Sequence, residues 1–138
     1  MGQRRRAREC ALQMLFQIDV AGGTPVEIYP EFWRQHEVED EVRSFAEQLV
    51  AGVMGERDRL DALIAGAASH WRVDRMAVVD RNILRMATYE LSHLLDTPAA
   101  VILDEAIEVG KRFGTEQSGA FINGVLDAVR RGLAAGRP

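Results

Sequence analysis

The sequence predicts an all-α fold, a bundle of about six to seven helices, on three observations. Apolar residues recur at helical spacing along nearly the whole chain, and two-residue alternation never persists long enough for a strand. Short breaks rich in Gly or Pro separate the periodic stretches. With 138 residues, 47% of them apolar, one domain is expected, burying roughly two-thirds of its unfolded surface.

In the first helix Ala7, Ala11, Met14, Leu15 and Ile18 gather on one stripe, and Ala21-Gly22-Gly23 ends it. Thr24-Pro25 then offers an N-cap followed by proline at the first helical position, opening a short helix that holds Phe32 and Trp33. After an acidic stretch from Glu37 to Glu41, a third helix runs from about Asp40 to Met54 on Val42, Phe45, Ala46, Leu49, Val50 and Val53. Gly55 breaks it, and a fourth carries Leu60, Leu63 and Ile64. The longest pattern runs from about Asp74 to Leu95, burying Ile83, Leu84, Ala87, Leu91, Leu94 and Leu95. Thr97-Pro98 repeats the cap-plus-proline start for a helix closed near Gly114, and a last helix spans about Glu116 to Leu133.

Charge is distributed unevenly. Arg4, Arg5, Arg6 and Arg8 put +4 into the first eight residues; since the whole chain carries −4, the other 130 residues carry −8. A basic end on an acidic body suits contact with a polyanion at one place, and nucleic acid is the first candidate. The single cysteine, Cys10, excludes an internal disulfide framework and a Cys-based zinc site. The start lacks the apolar run of a signal peptide, and no apolar stretch reaches the length of a membrane span. A cytoplasmic protein without cofactor or metal is expected.

Apparent catalytic signals fail on inspection. Gly114 to Gly119 has the two-glycine spacing of a phosphate loop, but Ala120-Phe121 stand where Lys and Ser/Thr are needed, and no strand precedes it. His36, His70 and His93 lack the spacing of paired metal ligands. Asp104, Glu105 and Glu108 share a helix face, but Lys111 and Arg112 follow Glu108 at i+3 and i+4, the pattern of a solvated surface with weak ion pairs. Catalysis is not expected.

Two helix faces invite binding. Leu12 and Phe16 fall outside the apolar stripe of the first helix, Phe16 by about 150° at about 100° per residue, and Arg5 shares their side. An aromatic beside an arginine offers stacking and phosphate contact to single-stranded RNA; packing under residues 22–37 or in a dimer contact is the alternative. Met86, Tyr89 and His93 form a second strip, rotated away from the main stripe, that suits either a neighbouring helix or a partner.

The residues from Arg4 through Cys10-Ala11-Leu12-Gln13-Met14-Leu15-Phe16 resemble the N-terminal signature of the NusB family of bacterial transcription antitermination factors. Further blocks follow in the family's order: Trp71 and Arg75, Ile83-Leu84-Arg85-Met86-Ala87-Thr88-Tyr89-Glu90-Leu91, Pro98, Asp104-Glu105-Ala106, Lys111-Arg112-Phe113 and Phe121-Ile122-Asn123-Gly124-Val125-Leu126-Asp127. Only residues about 22–40 lack a counterpart. The resemblance implies one domain over 1–138 made of two packed helical subdomains, about 1–70 and about 71–138. It also implies recognition of boxA RNA together with NusE, a small-subunit ribosomal protein. The pair is expected to join the RNA polymerase elongation complex with other Nus factors in ribosomal RNA antitermination.

By the same resemblance Arg4, Arg5, Arg6 and Arg8 match the arginine-rich RNA-binding stretch, and Phe16 takes an aromatic position that is often Tyr in the family. Lys111, Phe113, Gln117 and Phe121 match the other side of the RNA surface, although Phe113 and Phe121 equally suit a core. Asp80 and Tyr89 match positions facing NusE, and Asp104 stands where the family often has Asn. Two other readings remain at this stage: an RNA-binding fragment of a ribosomal RNA methyltransferase, and a self-associating helical scaffold, such as a homodimer, whose arginines meet the acidic patch of another copy.

Overall fold

The computed structural model describes residues 2–136, which form seven α-helices and no strand. They are α1 (Gly2–Ala21), α2 (Pro25–Gln35), α3 (Asp40–Gly55), α4 (Arg57–Ala67), α5 (Val78–His93), α6 (Ala99–Phe113) and α7 (Ser118–Gly136). A single 3₁₀ turn, Val73–Arg75, precedes α5. The helices α1 and α3 pack along each other with α2 beside them, while α6 pairs with α7. Between these groups α5 touches α1, α3, α4, α6 and α7. Although it precedes residue 70, α4 packs on α5 and α7. One continuous apolar core joins the whole. Among the described residues no helix is long and apolar enough to cross a membrane.

Local chemistry explains most boundaries. Gly22 and Gly23 take φ of 84° and 103°, a region that disfavours side chains, and so turn the chain after α1. Thr24 then caps α2: its hydroxyl accepts from the Glu27 N–H, and the Glu27 carboxylate accepts from the Thr24 N–H at 2.8 Å. Pro30 lies inside α2, leaving the Val26 carbonyl without its helical donor. Val26 is exposed, so water can satisfy that oxygen.

Five details differ from the sequence reading, the first being Leu95, expected on the buried face but 65% exposed because α5 ends at His93. The helix expected from Asp74 is interrupted, because Met76 and Ala77 are extended and α5 starts only at Val78. Met76 is buried and stands seven residues before Ile83, so it occupies the core face in a helix or beside one, and periodicity cannot separate the two. Thr97 does not cap α6; Pro98 takes that place, its carbonyl accepting from Val101 and Ile102. The last helix begins at Ser118 rather than Glu116, because Thr115 and Gln117 form a hydroxyl-bonded turn. Leu12, placed outside the apolar stripe, is buried, since α1 is covered by α2, α3, α5 and α6 and needs more than one apolar face.

A polar network ties α1, α4 and α5 together. Asp19 accepts from Arg81 Nε and Nη2 at 2.8 Å each, from Asn82 Nδ2 at 2.9 Å and from Arg85 Nη1 at 3.2 Å. Arg85 also donates to both oxygens of Asp61, at 2.7 and 3.0 Å. Burial pushes the Asp19 carboxyl up, but the hydrogen bonds from Arg81 and Asn82 and the charges of Arg81 and Arg85 outweigh it and hold the group at about 2. A folded-state value below the ordinary 3.8 means the stabilisation is complete above about pH 4 and is lost as pH falls towards 2. At about 1.4 kcal/mol per pH unit this is worth roughly 2 kcal/mol. Thermal unfolding of the protein and of Asp19→Asn should therefore differ at pH 6 and converge on acidification; a constant difference would contradict the assignment.

Candidate nucleic-acid interface

At about 100° per residue a helix cannot present positions 4, 5, 6 and 8 on one face, and the structure divides the arginine run accordingly. Arg4 is exposed, its guanidinium 3.9 Å from the centre of the Phe45 ring on α3. Arg6 is half-buried in a shallow hollow with Gly2, Gln3, Glu37, Val38 and Glu39. Arg5 reaches α6, donating from Nε and Nη2 to the two Glu105 oxygens at 2.9 and 2.8 Å. The hydrogen bond from Arg5 holds the Glu105 carboxyl below the usual range against the opposing effect of burial, helped by the charges of Arg5 and Arg8.

Arg8 corrects the sequence reading. It was expected on the RNA surface, but it is 4% exposed and donates from Nε and Nη2 to Glu90 of α5 at 2.9 and 2.8 Å. Glu90 is itself 1% exposed, and Glu105 stands 3.8 Å from Arg8 Nη1. Arg8 is therefore an internal strut between α1, α5 and α6. The signal was present in the sequence: Arg8 precedes Ala11 and Leu15 by three and seven residues, on the core stripe, and Glu90 follows Ile83 by seven on the core stripe of α5.

The α6–α7 turn brings most of the remaining candidates together. Lys111 is exposed, pairs with Glu108 at 3.4 Å and lies across the start of α7 at Gly119. Arg112 donates from Nη1 to Glu9 of α1 at 2.8 Å, and its guanidinium is 5.2 Å from the centre of the half-buried Phe113 ring. Gln117 is exposed. Phe121 is half-buried and meets exposed Trp71 edge-on, ring centres 5.7 Å apart. Trp71, read in the sequence only as a family landmark, thus joins this surface.

Phe16 shares its face of α1 with Arg5 and Glu9. Positions 5, 9, 12 and 16 share one face of α1, and Arg5 and Glu9 meet Glu105 and Arg112 in turn, so α1 and α6 run parallel here. Phe16, about 10 Å further along this face of α1 than Glu9, is exposed. The sequence reading missed Glu9 and Glu90 as partners and took Glu105 for a solvated carboxylate.

The positions matched to the protein partner are not brought together. Asp80, in the first turn of α5, accepts from the buried Ser118 hydroxyl of α7 at 2.7 Å. Tyr89, nine residues on, faces the opposite side of α5, over Gly52 of α3 and beside His93, with ring centres 4.9 Å apart. His93 pairs with Glu56 at 2.7 Å. Met86, from the same expected strip, is buried. Asp104 is exposed. Among the described residues no group of His, Cys, Asp and Glu side chains is arranged to hold a metal ion.

Gly114 keeps this surface in shape. A Cβ there would fall 2.7 Å from Ser118 Cβ and 2.8 Å from the Gly110 carbonyl oxygen. Gly114→Ala is expected to shift Ser118, break its bond to Asp80 and lower stability by about 1–3 kcal/mol. Thermal unfolding tests this, and an unchanged midpoint would contradict it.

The model of the NusB family matches residues 5–131. This chain belongs to the NusB family. Two NusB relatives, both named transcription antitermination protein NusB, show how full the match is. That of Anaeromyxobacter dehalogenans is 51% identical over 136 residues, 98% of this chain and 95% of the relative. That of Sorangium cellulosum is 45% identical over 133 residues, 96% of this chain and 95% of the relative. Among solved structures, T. maritima NusB superimposes with a TM-score of 0.85 at 37% identity, covering 93% of this chain and 90% of that one. A complex of antitermination factors NusB and NusE with double-stranded RNA gives a TM-score of 0.86 at 27% identity, covering 96% and 98%. These NusB relatives favour neither the methyltransferase-fragment nor the scaffold reading.

Proposed function

We propose that this chain is a non-catalytic, cytoplasmic RNA-binding antitermination factor that takes up boxA-type single-stranded RNA together with NusE and joins the elongating RNA polymerase assembly. What supports this reading is the bond from Arg112 to Glu9, which ties the α1 face of Arg5, Glu9 and Phe16 to the end of α6, where Lys111, Phe113, Gln117 and Phe121 follow through the turn into α7. Cations neutralise phosphates, while exposed aromatic edges and faces receive unpaired bases. A base paired in a duplex offers no such face, which favours a single strand as the ligand. The complex of antitermination factors NusB and NusE with double-stranded RNA supports RNA as the class of ligand and NusE as the protein partner.

In this reading Arg4 and Arg6 supply phosphate contacts on the flank of the surface, and Arg8 acts only by holding α1 in place. Asp80 and Tyr89 remain our candidates for contact with NusE, as separate points on two sides of α5 rather than one patch. Titrating a boxA-type single strand into isotope-labelled protein should shift the resonances of Phe16, Trp71, Lys111, Gln117 and Phe121. Residues of the α4–α7 groove such as Ala62 and Gly132 should stay unmoved. Shifts confined to that groove would defeat the placement.

A further inference from the structure

Arg112 and Glu9 form an ion pair unlike the internal ones. In Arg8–Glu90 both side chains are withdrawn from water, at 5% and 2% exposure, whereas Arg112 is 65% exposed over a Glu9 that is 5% exposed. Arg5, Arg8 and Arg81 each commit Nε and Nη2 to a carboxylate. The Arg112 bond to Glu9 is made by Nη1 alone, at 2.8 Å. A guanidinium has five N–H donors in a planar fork and can bridge two anions.

We propose that Arg112 is a further phosphate-contacting residue of the RNA surface and that Glu9 is the residue that positions it. The guanidinium stands next to Lys111 and by Phe113, and Glu9 lies on the α1 face that carries Arg5 and Phe16. A phosphate approaching from solvent therefore meets the unused donors of a guanidinium already held by Glu9 and beside the Phe113 ring. The buried carboxylate fixes a long side chain before the ligand arrives, which removes much of the ordering cost of binding. Position 112 follows Lys111 directly, so the α6 terminus offers one cation over α7 and one against α1.

The inference rests on the reading that this face takes RNA, and one experiment separates the two. Affinity for a boxA-type single strand is measured across salt concentrations for the protein, Arg112→Ala, Glu9→Gln and the double variant, which leaves no buried carboxylate unpaired. Arg112→Ala should weaken binding several-fold at low salt and reduce the log–log salt slope by about 0.7, the value of one phosphate contact to a single strand. Glu9→Gln should lie between, and adding Arg112→Ala to it should change the slope less than in the unaltered protein. A merely structural pair would lower the unfolding temperature of Arg112→Ala, restore it in the double variant and leave every slope equal, which overturns the proposal. If the unaltered protein does not prefer boxA to a scrambled strand, the interface reading falls and this inference with it.

Discussion

Arg8→Ala is expected to lose about 3–5 kcal/mol of stability, because it leaves the Glu90 carboxylate buried without its partner. For a chain of this size that lowers the unfolding midpoint by about 10–20 °C. The loss comes from the unpaired charge rather than from the worth of the pair. Replacing both members with apolar residues of similar volume, Arg8→Met with Glu90→Leu, should therefore recover much of it. Glu105, 3.8 Å from Arg8 Nη1, keeps its bidentate bond to Arg5 and so is not left unpaired in the double variant. An Arg8→Ala protein that unfolds at the original temperature, or an unrecovered double variant, would contradict the assignment of Arg8 as an internal strut.

Phe16→Ala is expected to weaken binding of a boxA-type single strand by about 1–3 kcal/mol, the worth of one base stacked on an aromatic ring, and so by roughly 5- to 150-fold. Phe16 is 41% exposed, so its removal should leave the fold intact and the comparison clean. Phe16→Tyr keeps the ring and adds a hydroxyl that can bond to the strand, so it should bind at least as well. Equal affinity of Phe16→Ala and the unaltered protein would remove α1 from the base-receiving surface.

The helices were legible because their apolar stripes, glycine stops and the Thr24 cap are local signals. Periodicity could not show the break at Met76 and Ala77, since Met76 reaches the core from either backbone path. Nor could one stripe reveal that α1 is covered on several sides, which is why Leu12 was misplaced. The candidate site was legible as a list of charges and rings, but their roles depend on pairing across the fold. Four arginines in a row read as one patch; helix geometry sends Arg8 inward to Glu90, Arg5 to Glu105, Arg4 to Phe45 and Arg6 towards the α2–α3 turn. Those partners lie up to 100 residues away in sequence, beyond the reach of any local pattern. The salt slope changes accordingly. Four phosphate contacts from the run would give about −3, whereas Arg8 contributes none in the folded protein.

The most direct test is the affinity for a boxA-type single strand and for a scrambled strand, each measured with and without the basic ribosomal partner. Preference for boxA that tightens when the partner is present is the predicted result. Equal binding of both strands, unchanged by the partner, would contradict it and leave a surface that attracts any polyanion.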